Sequence, residues 1–396
     1  MTDNKVATLA SKCVSCVTKP CQIGCPLNND ITGFIKQIKN KNYEAAFKIL
    51  SNTSVMMPVC GRICPHIKQC EGVCVKGVSY KSVHIGTLEA FVGDMWLKKH
   101  WQISSPIKTN KKVAVIGAGP AGLTCAAFLR KNGIGVTIYE KHDYLGGLLI
   151  HGIPDFRLPR IIVNKVTNNI INLGIDVKYN HTLGKNISLN ELRQKYDAIF
   201  LGIGANVSNK LGVVGENLKN VYGANELLEY KPKINYKNKT FIVIGGGNTA
   251  MDVARTIKRK GAHAIVVYHK ESSLMPALKS EVKDAKTEGV EFIFSTNITK
   301  IIGKDKVNKV ELKTKEKAFE VSCNYVIKAI GSHPDTIVKR LKLEKNGEDI
   351  QIDSEGRTSI PKVFAGGDVA GTKSTVSWAS RAGRNAAYAI IKYLKD

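Results

Sequence analysis

Apolar residues recur at helical intervals twice near the start of the chain. From Asp30 to Leu50, Ile31, Phe34, Ile35, Ile38, Ala45, Ala46, Ile49 and Leu50 stand mostly three or four positions apart, which predicts a helical stretch with one buried face. A second amphipathic stretch runs from Ile85 to Trp96. The segment from Gln102 to Asn110 (QISSPIKTN) shows neither period and reads as a linker. Beyond it the pattern changes. Short unbroken apolar runs, VAVI ending at Ile116 and FIVI ending at Ile244, each lead into a glycine-rich turn, a helical stretch and a second apolar run, GVTIYE and AIVVYHK. Strand, turn, helix and strand, twice over, predict buried parallel sheets of the α/β class. Near the end, VFA reads as a strand closing on Gly366-Gly367-Asp368, and Val376 to Tyr393 as the helix after it.

The same pattern excludes several classes. The longest uncharged stretch, Val113 to Leu129, is broken by Gly117, Gly119, Pro120 and Gly122 and falls short of the roughly 20 apolar residues of a spanning helix. Met1 to Cys13 carries Asp3, Lys5 and Lys12 and no apolar core, so no secretory signal is read and a cytoplasmic location is expected. The net charge of +26 comes mainly from lysine, which supplies 48 of the 59 basic residues, and it is spread evenly along the chain. A solvated lysine surface explains this better than a nucleic-acid patch, which would be concentrated and richer in arginine.

Cysteine placement is the sharpest compositional signal. Eight of the ten lie in the first 74 residues, where a cytosolic chain would keep them reduced. They read Cys13-x2-Cys16-x4-Cys21-x3-Cys25-Pro and Cys60-x3-Cys64-Pro followed by Cys70-x3-Cys74. Thiolates so spaced suit an iron–sulfur cluster or tetrahedral zinc; Cys-Pro after short gaps favours [4Fe–4S] clusters, whereas zinc knuckles are usually paired CxxC motifs. Cys125 and Cys323 stand alone and read as packing thiols, which disfavours a flavin disulfide reductase with a redox cysteine pair.

Two dinucleotide fingerprints follow. In the first, Gly117, Gly119 and Gly122, with Pro120 and Ala121 between, sit between a strand and a helix, and Glu140 ends the next strand. The glycines allow close approach of a pyrophosphate to the helix N-terminus, and the acid can accept ribose hydroxyls. The second has Gly245, Gly247, Asn248, Thr249 and Ala250, and its next strand ends at His269-Lys270. A basic pair there accommodates a 2′-phosphate, so this site is expected to prefer NADP(H). Two dinucleotides exchanging electrons are most simply NADPH and a flavin, and Asp368, at a strand end before a helix, can hold a flavin's ribityl hydroxyls.

These motifs, with CVSCVTKPCQIGCP, CGRICPHIKQCEGVC, YLGGLLIHGIPDFRLP, YDAIFLGIGA, MPALKSEVKDAKTEGVEF and VFAGGDVAG, resemble the glutamate synthase small (beta) subunit family. Its relatives include the N-terminal part of dihydropyrimidine dehydrogenase and a ferredoxin:NADP oxidoreductase subunit. The resemblance implies two Rossmann-like domains of the pyridine nucleotide-disulfide oxidoreductase type, preceded by a small all-α iron–sulfur domain. The implied division is an iron–sulfur domain over 1–108, an FAD domain over 109–225 and 336–396, and an NADP(H) domain over 226–335. FAD would be lined also by Gly146, Gly147, Arg157 and Gly367, and nucleotide contacts would include Gly331. Two [4Fe–4S] clusters are implied, one on Cys13, Cys16, Cys21 and Cys74, the other on Cys25, Cys64, Cys70 and Glu89. Spacing alone chooses Cys60 in place of Glu89. The implied activity is electron input from NADPH through FAD and the clusters to a partner subunit or a ferredoxin, in a hetero-oligomer, with neither nucleic acid nor membrane involved.

The chain departs from the family in carrying His269-Lys270 where many relatives have two stronger bases, and in being shorter than a typical small subunit. Hydride transfer demands no acid or base, so no catalytic residue is named, and His151, His333 and the other histidines are read as structural. The rival from another class is a docking protein that keeps its metal for structure.

Overall fold

The computed structural model describes residues 2–79, 81–230 and 234–395. The chain forms two compact units, one of Met1–Ile150, Asp155–Gly204 and Thr336–Asp396, the other of His151–Pro154 and Ala205–Asp335. No helix among the described residues is long and apolar enough to cross a membrane.

The first unit begins with short helices. The periodic stretch from Asp30 to Leu50 is two helices rather than one, Ile31–Lys39 and Tyr43–Ser51. The break falls on Asn40-Lys41-Asn42, where Lys41 takes φ 56° and the Asn42 side chain accepts from the Ala45 amide at 3.2 Å. Asparagine caps a helix better than it sits inside one, so a local cap overrides a continuous period while both pieces still bury the same face. Phe34, Phe47 and Trp96 are fully buried beneath them, with the Phe47 and Trp96 rings stacked at 5.6 Å.

Helices Met57–Ile63 and Ile85–Lys99 pack backbone to backbone at two glycines. A Cβ on Gly93 would stand 2.6 Å from Pro58 N, and one on Gly61 would collide with Ala90 N. This close crossing sets Cys60, on one helix, facing the same interior as Glu89 on the other.

The rest of the first unit is a five-stranded parallel sheet in the order Val363–Ala365, Ala198–Leu201, Lys112–Ile116, Gly135–Tyr139 and Asp176–Lys178. Strand order therefore reverses at Lys112–Ile116, the switch point where an open α/β sheet leaves a crevice at its carboxyl ends. Helix Pro120–Arg130 leaves that strand and packs against helix Val376–Tyr393.

The second unit repeats the plan. Its parallel sheet runs Val221–Gly223, Tyr325–Lys328, Thr240–Ile244, His263–Val267 and Glu291–Ile293, beside an antiparallel three-stranded sheet of Asn297–Gly303, Val307–Lys313 and Ala318–Ser322. Helix Asn248–Arg259 holds its place through a charged network: buried Arg255 meets Glu281 at 2.6 Å and Glu288 at 2.9 Å.

Candidate functional site

Cys13, Cys16, Cys21 and Cys74 line one pocket, floored by Ile31, Ile35 and Ile85. Cys13 lies just past the first helix, Asp3–Ser11, its amide bonded to Ala10 O at 3.0 Å, and its own carbonyl accepts from Lys39 Nζ at 2.6 Å. Cys21 sits in the short helix Pro20–Ile23, which Lys19 enters at φ 46°. Burial pushes the Cys21 thiol up to about 11, with the neighbouring Cys13 and Cys74 adding to the effect. A thiol such as Cys21, kept protonated by desolvation, is one that a cationic metal centre converts to thiolate.

The second centre lies where the two crossing helices meet the loops. Burial pushes Cys25 up to about 12, and the charges of Glu89 and Cys64 act in the same direction. Cys70 rises through burial, then through Glu89 and Cys25. Cys60 rises through its hydrogen bond with Cys64 and then through burial. Glu89 is only 6% exposed, and burial raises it to about 8. Its Oε1 accepts from Asn29 Nδ2 at 3.4 Å, and Asn29 in turn accepts from Thr53 Oγ1 at 2.7 Å. Thus Cys25, Cys64, Cys70, Glu89 and Cys60 are in electrostatic reach of one another, and both residues between which the sequence divides stand at this centre.

At the first switch point, Gly117 takes φ 94°, which only glycine adopts freely. Gly122 lies so close to the Gly117 carbonyl that a Cβ would collide with it, while a Cβ on Gly119 would meet nothing within 4 Å. The helix N-terminus at Pro120 thus opens onto free space bounded by Ala121 and Gly122. Glu140 accepts from the Ala118 amide at 2.7 Å and the His142 amide at 3.0 Å, so it braces this turn in addition to ending its strand. Gly146 donates to Ala118 O at 2.9 Å, and Gly147 lies against Gly119. Arg157 is half-buried in the loop before helix Arg160–Ile171. Gly367, at φ 81°, crowds Ala121, and beside it Asp368 Oδ1 is buried with no hydrogen-bond partner. That orphaned oxygen suits a hydroxyl donor from a bound ligand.

Burial, aided by the Asp349 charge, raises Asp368 to about 6 from its ordinary 3.8. Its raised pKa means that folding favours the protonated form: the full stability is present below about pH 4 and about 3 kcal/mol is lost as pH rises to about 6. In ligand-free protein, Asp368→Asn is expected to match wild type below pH 4 and to exceed it by up to about that amount above pH 6. Denaturant melts across this range check the difference; parallel curves would count against it.

The second turn repeats the first. Gly245 takes φ 136° and a Cβ on Gly246 would stand 2.6 Å from the Tyr268 ring, but a Cβ on Gly247 would meet nothing within 4 Å. Asn248 Oδ1 accepts from the Leu278 amide at 2.9 Å and Gly246 O from the Ala277 amide at 3.1 Å, which ties the turn to the MPALKSE segment. Thr249 is exposed and Ala250 buried; His269 and Lys270 are exposed just past the strand. Gly331, at φ 95°, follows the neighbouring strand, its carbonyl accepting from Asn209 N at 3.0 Å.

Several residues at these centres carry no motif. Asn29 holds Glu89, Gln69 exchanges hydrogen bonds with Ser377 at 3.2 and 3.3 Å, and Arg384 reaches Leu27 O and Thr53 O. All are polar partners brought together only by folding, and their spacing gives no sign of it. Cys125 and Cys323 are both buried, in a helix and just after a strand, with no second cysteine in either neighbourhood of the sequence.

Comparison with known proteins follows this division. The sequence profile of the pyridine nucleotide-disulphide oxidoreductases matches residues 111–386, and that of the dihydropyrimidine dehydrogenase domain II, 4Fe-4S cluster, matches residues 1–101. The glutamate synthase [NADPH] small chain of Escherichia coli K12 is 33% identical over 98% of this chain and 91% of its own length. The putative oxidoreductase AegA of the same organism is 34% identical over 97% of this chain, which spans 65% of that longer protein. Among solved structures, Mycobacterium tuberculosis FprA in complex with NADPH is similar over 72% of this chain and 85% of its own, with a TM-score of 0.64 at 17% identity, a likeness of fold.

Proposed function

Because the chain belongs to the pyridine nucleotide-disulphide oxidoreductases, among the relatives of the glutamate synthase small chain, we propose that it is an electron-input subunit, taking electrons from NADPH and delivering them singly to a protein partner. One observation carries the reading: a single compact unit contains an open dinucleotide cradle, a pocket lined by four cysteines, and a second group of cysteines around the buried carboxylate of Glu89. The helix Val376–Tyr393 touches both the second cysteine group and the cradle, since Ser377 bonds Gln69, the neighbour of Cys70, and Gly383 lies against Ala121 at the dinucleotide turn.

The residues fit the implied groups. FAD would lie along Gly117, Gly119 and Gly122, with Glu140 bracing the turn and Asp368 Oδ1 free to accept a ribityl hydroxyl. Gly146, Gly147, Arg157 and Gly367 would border it. NADP(H) would lie along Gly245, Gly247, Asn248, Thr249 and Ala250, with His269 and Lys270 offering charge to the 2′-phosphate and Gly331 at its margin. One [4Fe–4S] cluster would rest on Cys13, Cys16, Cys21 and Cys74, which line one pocket, the other on Cys25, Cys64, Cys70 and Glu89, within the stretch that matches a 4Fe-4S cluster domain. When bound, the flavin supplies the conversion of a two-electron hydride into the single electrons an iron–sulfur centre accepts. The chain's own part is to exclude water, orient the dinucleotides and fix the charge around each centre. The partner is an electron-accepting subunit or a ferredoxin, and the assembly a hetero-oligomer, as its small-chain relatives suggest.

Anaerobic isolation tests the composition: one FAD and about eight iron atoms per chain, with flavin bands that bleach on NADPH. Colourless protein loaded with zinc would overturn the reading in favour of a docking protein. For nucleotide choice, Lys270→Ala is expected to lower the NADPH to NADH ratio of kcat/KM about tenfold through loss of a charged contact worth about 1.5 kcal/mol. An unchanged ratio would show that Lys270 does not read the 2′-phosphate.

A further inference from the structure

Arg384 lies in the middle of helix Val376–Tyr393 and is only 9% exposed. Its Nη1 donates to Leu27 O at 2.7 Å and Thr53 O at 2.9 Å. Leu27 is two residues beyond Cys25 and shares its turn, closed by the Asn28 amide on Cys25 O at 2.8 Å; Thr53 is the residue whose hydroxyl holds Asn29, the partner of Glu89. The guanidinium is therefore pinned between the two chain segments that support the second centre. Among the described residues it forms no ion pair with a carboxylate, unlike Arg62, Arg255, Arg259 and Arg357. A buried cation held only by carbonyls is costly to keep unless an anion offsets it; burial lowers the Arg384 pKa, Tyr388 and then Cys25 act against that, and the Leu27 carbonyl to which it is pinned shares the turn of Cys25.

We propose that Arg384 is the countercharge of the second centre and sets its readiness to accept an electron. The inference rests on the reading that Cys25, Cys64, Cys70 and Glu89 hold a [4Fe–4S] cluster. Three thiolates and a carboxylate around a dipositive core leave two net negative charges, and reduction by one electron leaves three. A fixed positive charge stabilises the reduced form more than the oxidised one, and net charge is among the levers that set such potentials. The helix that carries Arg384 also packs against the dinucleotide turn, where Gly383 lies so near the Ala121 carbonyl that a Cβ would collide. Arg384 is thus a positioning residue as well, locking the turn of Cys25 onto that helix.

Redox titration of the anaerobic holoprotein, followed by low-temperature electron paramagnetic resonance, tests this with two variants. Arg384→Gln removes the charge and keeps a donor; Arg384→Lys keeps the charge and loses the fork. In Arg384→Gln one cluster is expected to become about tenfold harder to reduce, 59 mV for one electron, with the other cluster unmoved. Arg384→Lys is expected to stay near the wild-type potential even where its melting temperature falls. Equal shifts in both variants, or no shift in Arg384→Gln with iron content intact, would overturn the proposal. If Arg384→Gln does not fold, a shift in Arg384→Lys as large as tenfold overturns it and a retained potential supports it. Wild-type protein lacking two clusters would instead contradict the underlying assignment, so the two failures are distinguishable.

Discussion

Gly119→Val is expected to yield a folded protein that carries no flavin. Gly119 has φ −74°, ordinary for any residue, and a Cβ there meets nothing within 4 Å, so the substitution strains neither backbone nor core. The isopropyl group instead enters the space in front of helix Pro120–Arg130, where a pyrophosphate would lie against the helix N-terminus. Flavin content should fall more than tenfold, while the melting temperature should match that of deflavinated wild type. Gly247→Val is the counterpart in the second unit: it should keep its flavin and lose reduction by NADPH, but remain reducible by dithionite. Gly122→Val differs from both, because its side chain collides with the Gly117 carbonyl and should cost the fold itself. Flavin retained in Gly119→Val would move the dinucleotide away from this turn.

The second large effect concerns Glu89. Its carboxylate is buried with an asparagine amide as its hydrogen-bond partner, a poor environment for a charge without a cation. Glu89→Leu fits the apolar side of helix Ile85–Lys99 and should lose the second cluster. Iron should fall from about eight to about four atoms per chain, and electron delivery to a one-electron acceptor at least about tenfold. Cys60→Ala should retain both clusters, because Cys60 then contributes only a thiol hydrogen bond to Cys64. The reverse pattern, iron lost in Cys60→Ala and kept in Glu89→Leu, would make Cys60 the ligand, as spacing alone suggests.

Much of the scaffold is legible in the sequence because it is local. Each dinucleotide turn needs glycine for reasons that operate within a few residues, and helix Val376–Tyr393 spans the stretch its pattern marks. The sequence misleads where one local signal overrides another, as when Asn42 caps a new helix inside a continuous apolar period. It is silent where partners meet from far apart: Gln69 and Ser377 are 308 residues distant, Leu27 and Arg384 357. Neither pair follows a spacing, since neither is imposed by a helix or a strand. The polar surroundings of the second centre, which decide its charge, were therefore hidden, although the cysteines that mark it were plain.

Electrons are expected to pass from NADPH to flavin and only then to the clusters, and rapid mixing resolves that order. Anaerobic holoprotein is mixed with one equivalent of NADPH, flavin absorbance is followed in time, and samples are frozen for electron paramagnetic resonance of the reduced clusters. Flavin absorbance is expected to fall first, and the cluster signal then to grow as the flavin absorbance recovers. Flavin that bleaches and stays bleached, with no cluster signal even in excess NADPH, would contradict it.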